Sequence, residues 1–317
     1  MSNKQPEVYF YVPYADVLQV REDEGKYTYA NGIVSRRKFL KSPLNYIGGK
    51  YKLLPQLIEF FPEKINTFVD LFSGGFNVGI NVDCNKVICN DMNTFIIDLY
   101  KELYSKPIDE TLNKITRRIN EYGLSKENEE AFKKFRNYYN KTKEPIDLYT
   151  LSCYSFNYQF RFNNNKEYNN PFGRNRSQFS DNMKSNLILF TEKLKSMNVE
   201  FLSEPFDKVD LSKLNSEDFV YCDPPYLITT GSYNDGNRGF KDWKEEEEIQ
   251  LYKVLDELNK RKVKFALSNV IEHKGKENVL LKEWSKKYKT IYLTSDYSNS
   301  SYNTKRDKSI EVLIINY

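Results

Sequence analysis

The sequence predicts an α/β fold built on an open, doubly wound sheet of about seven strands that carries a mostly helical insertion. Three observations carry that prediction. Short apolar runs alternate with helically spaced segments on both sides of a charged stretch, 105–185. The first such run, Phe68–Phe72, breaks into Ser73-Gly74-Gly75. A later run, Phe219–Cys222, breaks into Asp223-Pro224-Pro225-Tyr226.

The elements follow in order. Residues 1–42 read as a separate extension of unknown role. Within it Val8–Val12 is a short strand, Arg21–Gly25 a charged turn and Arg36–Lys38 a basic cluster. Leu53–Phe61 has helical spacing and stops at Pro62. Phe68–Phe72 is a buried strand, and the Gly-rich turn behind it should open a helix. Val87–Cys89 is a second strand and Ile96–Tyr104 a helix. Residues 105–155 hold two or three amphipathic helices, with apolar residues three and four apart. Residues 156–182 lack that period and read as a loop or small hairpin. Alternation then returns, with helices over Leu187–Lys195, Glu245–Lys260 and Glu277–Lys287. The strands are Val199–Leu202, Phe219–Cys222, Lys264–Leu267, Thr290–Thr294 and Ile310–Ile315. The insertion 105–185 therefore divides one catalytic unit into 43–104 and 186–317.

Composition removes whole classes of chemistry. His273 is the sole histidine, so a three-His zinc site and a His-x-x-x-His motif are impossible. Cys84, Cys89, Cys153 and Cys222 form no Cys-x-x-Cys pair, and no metal is expected. Their irregular spacing suits a reducing, cytoplasmic setting. No apolar run reaches the roughly 18 residues of a membrane helix, and no signal peptide is expected. The chain has 48 Lys and Arg against 44 Asp and Glu, a net charge of +4, so a nucleic-acid footprint must be local. The chemistry is left to carboxylates, amides, backbone groups or a cofactor.

The motifs supply that chemistry. In doubly wound folds a Gly-rich turn lets a ligand approach the backbone. The glycines at 74, 75 and 79 do not make a Gly-x-Gly-x-x-Gly fingerprint, and a tight turn without ligand fits this motif equally well. Asp91 follows the second strand and stands where such folds hold ribose hydroxyls; a helix N-cap is its other reading. Asp223–Tyr226 is the decisive segment. Two prolines stiffen the chain at the carboxyl edge of the sheet. The tetrapeptide presents a carboxylate, a main-chain carbonyl and an aromatic face, the parts that grip a planar exocyclic amine. Two acceptors on the amine hydrogens localise its lone pair for attack on an electrophile.

Taken with Asn45–Lys50 (NYIGGK), these motifs resemble the Dam-type, α-class (D12) N6-adenine DNA methyltransferases, with the phage T-even Dam enzymes nearest in pattern. The likeness runs from about residue 43 to the end of the sequence. It implies a Rossmann-like methyltransferase sheet, S-adenosylmethionine as cofactor and S-adenosylhomocysteine as product. It also implies methyl transfer to adenine N6 of a base flipped from double-stranded DNA, at a short palindrome such as GATC. By the family pattern Tyr46, Gly48, Gly49 and Lys50 enclose the methionine end of the cofactor. Asp70, Phe72, Ser73 and Gly74 form its turn, Asp91 holds the ribose, and Phe206 lies against the adenine. Asp223, Pro224, Pro225 and Tyr226 are catalytic, Asp223 also facing the cofactor. In the insertion Phe156, Asn157, Gln159, Arg161, Pro171, Arg174 and Arg176 match the hairpin that meets DNA. Gln159 stands where the family often has an apolar residue. The resemblance further implies a protein that is bacterial or phage-encoded in a bacterial host and a monomer or weak dimer, and it leaves open whether a cognate restriction endonuclease is a partner.

Two other readings stay open at this level. One is an amino-methyltransferase for cytosine N4 or RNA adenine. The other is a catalytically silent, methyltransferase-like DNA-binding module. Among lesser residues, Ser268 and Asn269 end a strand and support the catalytic loop, Tyr302 reads as a core or loop residue ahead of one that flanks a flipped base, and His273 is a surface or phosphate-side residue. The run Glu245–Glu248 reads as a solvated helix face.

Overall fold

A computed structural model describes residues 39–229, 243–294 and 309–317. The expectations for Val8–Val12, Arg21–Gly25, Arg36–Lys38 and Tyr302 lie outside the described residues. β1 (Thr67–Asp70), β2 (Lys86–Asn90), β3 (Val199–Leu202), β4 (Phe219–Cys222) and β5 (Lys264–His273) run parallel. β8 (Ser309–Ile315) enters antiparallel between β5 and β7 (Lys289–Leu293), and the two-residue β6 (Lys276–Glu277) pairs with the end of β5. The order is β3-β2-β1-β4-β5-β8-β7, so the chain reverses direction across the sheet at β1. In open α/β sheets the crevice outside the strand ends at such a reversal is where ligands bind.

The sequence explains the central strands directly. All four residues of β4 are buried, as a strand covered on both faces requires. β5 continues six residues past the expected end at Leu267, so Ser268 and Asn269 lie inside the strand, where pairing with β8 extends it. The helices are α1 (Leu54–Glu59), α2 (Thr94–Ser105), α3 (Ile108–Tyr122), α4 (Glu129–Thr142) and α5 (Pro145–Cys153). They continue with α6 (Asp181–Lys195), α7 (Glu245–Lys260) and α8 (Val279–Ser285). The helix expected from Leu187 starts six residues earlier because the Ser180 hydroxyl accepts from Met183 N at 3.3 Å. Asn278 shortens the helix expected from Glu277, accepting from Leu281 N at 3.0 Å. The helix expected behind the Gly-rich turn is absent. Phe76 sits at φ 56°, outside the right-handed helical region, and only the 3-10 turn Gly79–Asn81 follows.

Two cores flank the sheet. One joins Leu54, Phe68 and Tyr100 to Phe135, Tyr149 and Phe162 of the inserted segment. The other joins Val69 and Val220 to Leu251, Leu255 and Trp284 beneath α7 and α8. Residues 155–172 close a small hairpin through bridges Ser155–Phe172 and Phe162–Tyr168. Inside it Asn170 Nδ2 donates to the Phe156 and Gln159 carbonyls at 2.9 and 3.1 Å.

Candidate active site

The carboxyl ends of β1, β2 and β4 are stitched together at backbone level. Leu71 N donates to Tyr221 O at 3.0 Å and Ser73 N to Asn90 O at 2.8 Å. The buried Asn90 side chain donates to Leu71 O and Glu204 O, both at 3.0 Å, and accepts from Glu204 N at 3.0 Å. One amide thus fixes the exits of three strands. The resulting cleft is lined by Tyr46, Gly48, Gly49, Lys50, Asp70, Phe72, Ser73, Gly74, Asp91, Phe206, Asp223, Pro224, Pro225 and Tyr226, which is every cofactor-binding and catalytic position expected from the sequence.

The Gly-rich turn is held by two acids. Asp91 Oδ2 accepts from Gly74 N and Oδ1 from Asn93 N, both at 2.8 Å. Asp91 therefore braces the turn and does not cap α2, whose N-cap is Asn93. Burial pushes the Asp91 carboxyl above its usual range, opposed by those two backbone N–H groups. Asp70, 1% exposed, accepts from Gly79 N at 3.0 Å. Burial raises its pKa to about 8, helped by the charges of Asp223 and Asp91. Burial thus favours the neutral form of the Asp70 carboxyl, against the Gly79 N–H that favours its charged form. Gly74 has φ 45°, and a Cβ there would lie 3.0 Å from the Tyr46 ring. Gly74→Ala should cost about 1–3 kcal/mol in thermal unfolding through backbone strain. It should also displace Tyr46; an unchanged melting temperature would contradict this account.

At the other wall, Asp223 leaves β4 and meets two partners. Its Oδ2 lies 2.8 Å from Lys50 Nζ, and its Oδ1 accepts from Tyr226 OH at 2.9 Å. Lys50 also donates to Gly48 O at 3.0 Å and sits over the Tyr226 ring, 5.0 Å from its centre. Lys50 is 6% and the Asp223 side chain 17% exposed. Burial raises the Asp223 pKa, while the Lys50 charge, its hydrogen bond and the Tyr226 hydroxyl lower it. Lys50, expected at the methionine end of a cofactor, thus touches the carboxylate of Asp223. The loop behind is anchored by Thr229, whose N and Oγ1 donate to Tyr226 O at 3.0 and 3.2 Å. Ser268 supports the site from below, sharing a 2.8 Å hydrogen bond with Tyr221.

None of the seven positions expected to meet DNA lines the cleft. They lie on the hairpin beside it and on the segment that follows it to Arg176. Phe156 N donates to Pro171 O at 2.8 Å, and Asn169 N to Arg161 O at 3.0 Å. Arg176 stacks 4.5 Å from the Phe156 ring and donates to the Asn157 side chain. Arg174 pairs with Glu129 of α4. Asn157 and Tyr158 both adopt positive φ, 55° and 57°. Asn45 links this hairpin to the cleft, bridging to Gln159 and donating to Asn157 O at 2.6 Å.

Several cleft residues escaped the sequence reading. Phe160 and Phe162 reach in from the hairpin, and Phe162 stacks on Phe95 at 4.7 Å. Their signal was the alternation Tyr158-Gln159-Phe160-Arg161-Phe162, which puts aromatics on one face. Trp243 and Glu247 complete the far end. Glu247 and Glu248 are 8% and 0% exposed, so the run Glu245–Glu248 is not a solvated face. Glu248 precedes Leu251, Tyr252 and Leu255 at helical spacing, which puts it on the inner face of α7. His273 shares a 2.6 Å hydrogen bond with Ser309 across β5 and β8, away from the cleft.

Among the described residues, no group of three or more His, Cys, Asp or Glu is arranged to hold a metal. The four cysteines are free. No described helix is long and apolar enough to cross a membrane.

The sequence of this chain matches, over residues 46–299, the family described as D12 class N6 adenine-specific DNA methyltransferase. It is similar to the type II methyltransferase M.FokI of Planomicrobium okeanokoites, 63% identical over 279 residues, 88% of this chain and 43% of that protein. It is also similar to the modification methylase StsI of Streptococcus sanguinis, 55% identical over 287 residues, 90% of this chain and 44% of that protein. The DNA adenine methylase of Escherichia coli (strain K12) is 27% identical over 285 residues, 88% of this chain and 95% of that protein. The chain spans less than half the length of the first two relatives.

Proposed function

The chain belongs to the D12 class N6 adenine-specific DNA methyltransferase family, and on that premise we propose that it transfers a methyl group from S-adenosylmethionine to adenine N6 in duplex DNA. The observation that carries the reading is the common cleft of Asp223–Tyr226, the Gly-rich turn and Asp91. S-adenosylmethionine, when bound, supplies an electrophilic methyl group on a sulfonium. The donor set suits it: carboxylates for hydroxyls at Asp91, a Gly-lined backbone at 73–75, and aromatic faces at Phe72 and Phe206.

Toward the substrate, Asp223 and the Pro224 carbonyl accept the two hydrogens of the exocyclic amine. The Tyr226 ring gives the purine a face to stack on. The base must leave the duplex to reach them. No histidine is needed, because the amine gives up its proton only after gaining the methyl group, by way of the Asp223 carboxylate to solvent. The hairpin 155–172 and its extension to Arg176 serve as the target-recognition unit within 105–185. Phe156, Asn157, Gln159, Arg161 and Pro171 face bases, while Arg174 and Arg176 face phosphates. A cognate restriction endonuclease as counterpart, a monomer or weak dimer, and a bacterial cytoplasm complete the proposal. The relatives named type II and modification methylases support it.

Sequencing DNA from cells expressing the protein tests the reading. N6-methyladenine at one fixed context is the expected result, and the same reads check for a short palindrome such as GATC. Finding N4-methylcytosine instead would overturn the choice of base. DNA binding without any methyl transfer would favour a silent module.

A further inference from the structure

We propose that Trp243 forms a third wall of the purine end of the cofactor cleft and that the buried Glu248 is the positioning residue holding it there. The inference rests on the cofactor reading above. Trp243 lies immediately before α7, lines the cleft and is 7% exposed. Its ring centre lies 5.6 Å from that of Phe72, at 81°, and 5.5 Å from that of Phe206, at 50°. Phe72 and Phe206 are themselves 5.5 Å apart and tilted by 34°. Three aromatic rings meeting at such angles make a box, not a stack, so an edge or a face is offered to a planar ligand from each side. The Asp91 carboxylate lines the same cleft. An aromatic box beside an acceptor for hydroxyls is the chemistry that selects a nucleoside.

The indole is not placed by packing alone. Its Nε1 donates to Glu248 Oε2 at 2.5 Å. Glu248, fully buried, also accepts from Tyr252 OH at 2.7 Å, Asn269 Nδ2 at 2.9 Å and Asn278 Nδ2 at 3.2 Å. Those donors come from α7, the interior of β5 and the N-cap of α8. A buried carboxylate on an apolar helix face is costly unless its lone pairs are filled. Here four donors fill them, and one of the four is the cleft-lining ring. Residues of the second core therefore fix one wall of the cleft. Gln at 248 keeps the shape but replaces one acceptor oxygen by an amide that repels the donors around it.

The full chain contains two tryptophans, Trp243 and Trp284. Trp284 stacks on Tyr252 at 4.3 Å and does not line the cleft, so Trp284→Phe leaves Trp243 as the reporter. The probes are S-adenosylhomocysteine and adenosine, followed by fluorescence and calorimetry, with duplex DNA binding measured alongside. In Trp284→Phe, S-adenosylhomocysteine should change the emission of Trp243. Trp243→Ala should weaken both ligands about ten-fold, with Trp243→Phe intermediate because a ring face remains. Glu248→Gln should shift the Trp243 emission maximum and weaken adenosine as Trp243→Ala does, with DNA affinity unchanged. If Glu248→Gln does not fold, the Trp243 variants and the Trp284→Phe titration decide alone. Parent-like binding of both ligands by Trp243→Ala, or silent Trp243 emission, overturns the proposal. Failure of the parent itself to bind S-adenosylhomocysteine would instead sink the cofactor reading.

Discussion

Asp223→Ala is expected to lower methyl transfer about 10³-fold while S-adenosylhomocysteine and DNA binding stay within a few-fold of the parent. In the proposed mechanism the carboxylate is the side-chain acceptor for the amine at the end of β4, and removing it would leave only the Pro224 carbonyl. The cost extends beyond chemistry. Lys50, 6% exposed, loses the partner that lies 2.8 Å away and keeps the Gly48 carbonyl. Stripping one member of a buried pair destabilises by on the order of 3 kcal/mol, because the other charge stays desolvated. The Ala variant should therefore melt earlier as well as turn over slowly. Asp223→Asn separates the two effects. It keeps the shape and one acceptor but offers an amide to the Lys50 ammonium and to the substrate amine. Single-turnover transfer rates beside thermal melts provide the check. Parent-like turnover in both variants would remove Asp223 from the mechanism.

The fold and most of the cleft were legible because their signals are local. The fully apolar run Phe219–Cys222 against two prolines marks a buried strand and its exit, and β4 has those bounds. The acidic start and apolar period of Glu245–Lys260 define α7 to the residue. Every expected cofactor and catalytic residue lines the cleft; those at 70–74, 91, 206 and 223–226 sit within a few positions of a strand end, while those at 46–50 come from the segment ahead of α1. What was not legible depends on contacts distant in sequence. The turn after β1 has the glycines of a strand–helix junction, yet Phe76 adopts positive φ. Gly79 N donates to Asp70, and only the 3-10 turn Gly79–Asn81 forms there. Asn90 looks like a strand residue and in fact bonds the exits of its neighbours. Trp243 carries no motif, and its place is set by Glu248, itself hidden in a run of four acids that reads as solvent-facing. Charge patterning misleads at that run because only two of its four carboxylates point outward.

Lys50→Met is expected to move the acidic limb of the turnover–pH profile to higher pH and to leave the alkaline plateau nearly intact. Each neighbour of Asp223 favours either its neutral or its charged form. Burial favours the neutral acid, and the Glu311 charge adds to it. Asp70 also faces the site; its burial favours its neutral form, and where it is charged it too favours the neutral acid at Asp223. The Lys50 ammonium and the Tyr226 hydroxyl favour the carboxylate. Met fills similar space without charge, so Asp223 takes up a proton at a higher pH than in the parent. A protonated Asp223 donates where it should accept, and the amine loses its partner. Turnover near pH 6 should fall about ten-fold or more relative to the parent and recover as the pH rises. Lys50→Arg keeps the charge and should restore the acidic limb, although a planar guanidinium cannot reproduce both the Asp223 and the Gly48 contacts. A lysine that served only to bind the methionine end of the cofactor would behave differently. Its removal would raise KM for S-adenosylmethionine at every pH and leave the limb of kcat in place. Measuring kcat and KM across pH for the parent and both variants distinguishes the two, and an unmoved limb in Lys50→Met would refute the tuning role.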